Sequence, residues 1–180
     1  MKIKGFTGII EPRFFADKRK WECTQILAIP IQEVKNIAVT NHEDPNKSFS
    51  IKKTGFNFEV KQNGVPLEKL DTTKVFRYLQ NYQKVHYEIP NYLLDDKQVD
   101  SLKKSQPVAT IKADEMNGKS TTLNCYRVPG PPTLANGGDT TVEYDTNRFW
   151  CVLPSGKLVK CQYFVFDPLL RADLYFPMNK

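Results

Sequence analysis

The chain has 180 residues, of which 40% are hydrophobic and 26% charged, so it can bury a real core and does not have the composition of a disordered segment. Its net charge is +6, and Lys2, Lys4, Arg13, Lys18, Arg19 and Lys20 against Glu11 and Asp17 put most of it in the first 20 residues. Such an end could face the phosphates of a nucleic acid or a lipid, but a solvated terminus is the simpler reading. The apolar run Gly5-Phe6-Thr7-Gly8-Ile9-Ile10 is far short of a signal-peptide core or of a span of about 20 residues, which taken alone points to the cytoplasm.

Residues 1–24 read as irregular, with Trp21 as an anchor into the core. Strands are expected over residues 25–29 and 33–41, the second from Val34, Ile37 and Val39. A loop follows, with turn chemistry at Asp44-Pro45-Asn46. Phe49 and Ile51 alternate with polar residues, as do Phe56, Phe58 and Val60, and Thr54-Gly55 lies between them, so residues 48–61 are a hairpin.

Asp71 is the expected cap of a helix whose apolar stripe is Val75, Phe76, Leu79 and Tyr82. A second, shorter helix starts at Asp95-Asp96 and ends at Lys103-Lys104, with acids and bases placed favourably for its dipole. Residues 108–113 and 121–128 form a further hairpin around Asn117-Gly118. The 129–139 segment, rich in Pro and Gly, reads as the longest loop. Two apolar strands joined by Pro154-Ser155-Gly156 then close the chain, followed by a helical turn at Asp167-Pro168.

Cysteine usage excludes a zinc site of the usual kind. Cys23, Cys125, Cys151 and Cys161 form no CxxC pair, and only His42 and His86 could assist them. A three-residue turn at 154–156 pairs Cys151 with Val159 and Cys161 with Phe149. That leaves the two thiols diagonal, roughly 7–8 Å apart, too far for an unstrained disulfide. Buried free thiols are expected.

No pattern in the chain carries chemistry. Asn117-Gly118-Lys119-Ser120-Thr121 mimics the end of a phosphate loop. However, Ala113 stands where the first glycine is needed, acids precede it, and a strand follows it instead of a helix. His86 lies on an alternating strand with no local nucleophile motif, so no catalytic residue is assigned. Asp95/Asp96 and Asp114/Glu115 read as a helix start and a turn, with no metal-ligand spacing. The aromatics fall at core positions and are not interleaved with Lys or Arg, so no nucleic-acid partner is expected. Asp145 and Arg148 flank the long loop. They could pair with each other, cap the start of the strand or bind a ligand; with His86 they are the candidate ligand-binding residues.

Tyr144-Asp145, Arg148-Phe149 and Gln162-Tyr163-Phe164-Val165-Phe166-Asp167 with Leu170-Arg171 resemble an uncharacterised bacterial family, domain of unknown function 4340. Arg13-Phe14, Trp21, Ile29-Pro30, Glu33-Val34, Ser48-Phe49-Ser50-Ile51 and Lys74-Val75 with Arg77-Tyr78-Leu79 are similar too. The resemblance implies an envelope protein of Gram-negative bacteria with an N-terminal membrane or lipid anchor, of which this sequence would be a periplasm-facing piece. It implies a protein or glycan partner, contact with the membrane only through that anchor, and no catalytic residues or cofactor.

The expected fold is therefore α+β in a single domain over residues 1–180, with antiparallel hairpins forming a sheet and two helices packed on one face. The expected function is a non-enzymatic envelope binding or structural module. The alternative is a small-ligand binder or enzyme with its site under the 129–139 loop. Oligomeric state is open.

Overall fold

A computed structural model of the chain describes residues 21–68, 70–134 and 140–177. The strands are β1 (Gln25–Leu27), β2 (Val34–Asn41), β3 (Phe49–Thr54), β4 (Asn57–Gln62), β5 (Val65–Pro66), β6 (Val85–His86), β7 (Ile89–Pro90), β8 (Ala109–Glu115), β9 (Ser120–Leu134), β10 (Thr140–Val152) and β11 (Leu158–Gln162). The helices are α1 (Thr72–Gln80), α2 (Asp96–Lys104) and α3 (Tyr163–Leu170). The architecture is mixed α and β, and every strand pair is antiparallel.

Nine strands make one sheet in the order β5-β4-β3-β2-β8-β9-β10-β11-β7, and β1 pairs with β6 separately. Two runs of four strands meet at β2 and β8 and meander outward, and each is followed by a helix, α1 or α3. Both outer edges are two-residue strands that contain a proline, Pro66 and Pro90. A short edge with one N–H missing is a poor template for another strand.

Register explains the core. Ile37 lies between Ile51 and Ala113, and Val39 between Phe49 and Ile111, so apolar residues run in rows across the sheet. These rows are buried beneath Val75, Tyr78 and Leu79 of α1 and Phe166 and Leu169 of α3. The two helices are tied where Tyr78 donates to the Leu169 carbonyl at 2.8 Å.

The opposite face has its own cluster. Tyr126, Trp150 and Leu158 alternate with the core residues of β9, β10 and β11, and Leu94, Val99 and Leu102 of the α2 region pack on them. α2 thus covers the far face, whereas sequence reasoning put both of its helices on one face. The reason is that β9–β11 are apolar on both sides.

Other local expectations divide in the same way. Asp71 caps α1 by accepting from the Thr73 N–H at 2.9 Å. Asp95 and Gln98 cap α2 reciprocally. The expected stripe of α1 is rotated, because Tyr78 is fully buried while Phe76 is 39% exposed and meets Phe58 edge-on. Trp21, expected as an anchor, is 62% exposed.

The apolar run 163–166, expected as strand, begins α3. This brings Phe166 onto Phe149 at 5.0 Å and buries Leu169 one turn later. Pro168 leaves the Phe164 carbonyl without its usual helical donor, but Phe164 is 88% exposed, so water can serve it. The expected loop at 129–139 is also reduced, because residues 129–134 continue β9. Residues 135–139 lie outside the described residues, as does the basic segment 1–20.

Candidate functional site

A cleft of about 760 Å³ opens on the core face of the sheet, at the foot of the β9–β10 hairpin. β9 contributes Arg127, β10 contributes Tyr144, Asp145 and Thr146, and α3 contributes Tyr163 and Asp167. The opposite wall is the 43–47 loop, and the chain after α3 closes the end with Arg171 and Asp173. Val39, Val108, Ala109, Leu170 and Ala172 give it an apolar floor. The size and the mix of apolar floor with converging polar groups suit a small-molecule site.

Local chemistry sets the walls. Asp44 accepts from the Asn46 N–H and is followed by Pro45, which starts a 3-10 turn over Pro45–Lys47. Asn41 Oδ1 accepts from the Glu43 and Asp44 N–H groups, so the 43–47 wall is held from both sides. Arg127 then staples that wall to β9: its Nε and Nη2 donate to Glu43 at 2.9 and 2.6 Å. The same guanidinium lies 5.0 Å from the centre of the Tyr144 ring.

Most charges in the cleft are already paired. Besides Arg127–Glu43, Arg171 meets Asp173 at 2.8 Å and Lys47 meets Asp44 at 3.2 Å. The hydrogen bond from Arg127 holds the Glu43 carboxyl below its ordinary range, and that from Arg171 does the same for Asp173. Asp167 behaves in the opposite way. Burial raises its pKa, with Arg171 pulling down and Asp173 pushing up. Burial also raises Tyr163, one turn before it on α3.

The three candidate residues do not form one site. Asp145 lines the cleft, and its Oδ1 accepts from the Asn147 and Arg148 N–H groups at 2.8 and 3.0 Å, so the capping role is realised. The Arg148 side chain turns away to Glu88, with two bonds of 2.6 and 2.9 Å. His86 sits on β6, where Nδ1 meets the Thr24 hydroxyl at 3.0 Å and the buried Nε2 has no hydrogen-bond partner among the described residues. Sequence reasoning missed Arg127, Tyr163, Asp167 and Glu43. Arg127 and Tyr163 read as ordinary strand members, Asp167 reads as the start of a helical turn, and Glu43 lies 84 residues from its partner Arg127.

No family model, no curated protein and no solved structure matches this chain.

Proposed function

We propose that this chain is a ligand-binding module of the bacterial cell envelope and that its ligand sits in the cleft at the foot of the β9–β10 hairpin. The observation that carries the binding half is the cleft, with an apolar floor and polar groups from five separate segments converging on it. The side chains around it are engaged mainly in holding its walls, which favours binding over turnover. The envelope half rests on the family resemblance, which also supplies the expected protein or glycan surroundings.

Two experiments test it. Native mass spectrometry of the protein expressed with its full gene would show a retained small molecule. Thr146→Trp, at the exposed rim of the cleft, would lose it without unfolding. Retention of the same mass by the Trp variant would move the site elsewhere. Fractionation of cells tests the location: recovery with the envelope supports the reading, and recovery in the cytosol overturns that half of it.

A further inference from the structure

Resting on that reading, we infer that the cleft takes a small organic cation, an amidinium, guanidinium or alkylammonium carried on an apolar body. An anion would need a cationic donor, and the cleft's cations are occupied. Arg127 is held by two bonds to Glu43, and Arg171 by Asp173. Lys47 lies against Asp44. An anion seeking a full ion pair would have to compete with these carboxylates, two of which make forked or near-forked pairs, the strongest kind of exposed ion pair.

A cation meets no such obstacle. With those three pairs set aside, two carboxylates in the cleft remain, Asp167 and Asp145. The Asp167 carboxylate forms no hydrogen bond or ion pair with another described residue, although its backbone carbonyl accepts from the Arg171 N–H at 2.9 Å, and the side chain is half-buried on the α3 wall. Asp145 uses one oxygen for the backbone of its own turn, and the charge of nearby Arg148 is committed to Glu88. Tyr163 stands one helical turn before Asp167, lines the same cleft, and meets Phe149 in a tilted contact at 4.9 Å, so an aromatic ring lies on the same wall as the carboxylate. Arg171, the cation that acts on it, is bonded to Asp173, and a partly desolvated carboxylate without a counter-ion of its own is under-stabilised when ionised. A bound cation would supply the missing partner, and an aromatic wall adds attraction for it.

The test uses three probes of one shape and different charge: benzamidine (a cation), benzamide (neutral) and benzoate (an anion), titrated into the protein and followed by two-dimensional NMR. Benzamidine should bind with about tenfold higher affinity than benzamide, shift the signals of residues 144–146 and 163–167, and weaken as salt rises. Benzoate should not bind. Asp167→Asn keeps the shape and should remove the advantage of benzamidine over benzamide. Asp145→Asn keeps the turn acceptor and should reduce that advantage. Equal binding of all three probes in the cleft would overturn the charge preference and leave the binding site standing. Binding of none of them, or shifts confined to another surface, would overturn both.

Discussion

Cys125 on β9 stands directly across from Cys151 on β10, and Cys161 lies on the next strand, paired with Phe149 on the same face. All three thiols are buried, while Cys23 is exposed. The Cys125 thiol is pushed up by its contact with Cys151 and by burial. For Cys151 the contact with Cys125 pulls down, but Cys161 and burial outweigh it. Thiolates are the reactive form, so a native protein should expose one thiol to Ellman's reagent near neutral pH and all four after denaturation. Rapid native reaction of three or four would show that the β9–β11 core opens readily. Cys151→Ser, which places a hydroxyl in that apolar setting, should destabilise the fold by about 1–3 kcal/mol.

Tyr78 and Tyr82 make a directed chain. Tyr78 donates its hydroxyl proton to the Leu169 carbonyl at 2.8 Å, so the 2.6 Å contact with Tyr82 must have Tyr82 as donor. Removing the first hydroxyl orphans two groups, and removing the second orphans one lone pair. Tyr78→Phe should therefore lower unfolding free energy in urea by about 1–3 kcal/mol and Tyr82→Phe by less. Equal losses would contradict the direction of the chain.

Residues whose structure depends on near neighbours were legible in the sequence. The 48–61 hairpin, the caps at Asp71 and Asp95 and the pairing of Cys151 with Val159 all follow from local turn and alternation rules. Placement that depends on what arrives from elsewhere was not. Tyr163-Phe164-Val165-Phe166 has strand-forming composition, but tertiary packing on Phe149 makes it helical. Trp150 reads as apolar whichever face it serves, so nothing local assigns α2 to the far side. The cleft itself is built from pairs as distant as Glu43 and Arg127, and its proline-rich hairpin reads as loop. Asp145 stands out in the sequence by its place beside that segment, and of the roles open to it, pairing with Arg148, capping or ligand binding, the cap is realised while Arg148 serves Glu88.

The ion pairs and buried tyrosines set the pH range of stability in opposite directions. Glu43, Glu88 and Asp173 are lowered chiefly by hydrogen bonds from Arg127, Arg148 and Arg171. A lowered native pKa means that the unfolded chain takes up the proton first, so this stability is present above the ordinary values of 4.5 and 3.8 and is lost as pH falls below them. Tyr78 and Tyr82 are raised by burial, so the unfolded chain loses their protons first and stability falls as pH rises above 10.0. Asp167, raised by burial, opposes its acidic neighbours. Melting temperature should therefore be highest between about pH 5 and pH 9. Tyr78→Phe should flatten the alkaline arm, and Asp167→Asn should leave the acid arm at least as steep. An alkaline arm unchanged in the Tyr78 variant would assign it to other groups.

The far face depends on a short helix with no fully buried residue of its own. Asp95 Oδ1 accepts from the Gln98 N–H at 2.8 Å, and Gln98 Oε1 accepts from the Asp95 N–H at 3.0 Å. Nine residues are too few for a stable isolated helix, so α2 forms by this cap together with the packing of Val99 and Leu102 on the cluster of Tyr126, Trp150 and Leu158. Asp95→Ala should cost about 1 kcal/mol and Leu102→Ala a comparable amount, less than a full core truncation because Leu102 is only partly buried. Trp150 is 3% exposed and Trp21 is 62% exposed, so the two are separable by acrylamide quenching of fluorescence. If α2 covers Trp150, both variants should raise the quenchable fraction before global unfolding begins. A quenchable fraction that stays at the wild-type value would mean that the strands bury Trp150 by themselves.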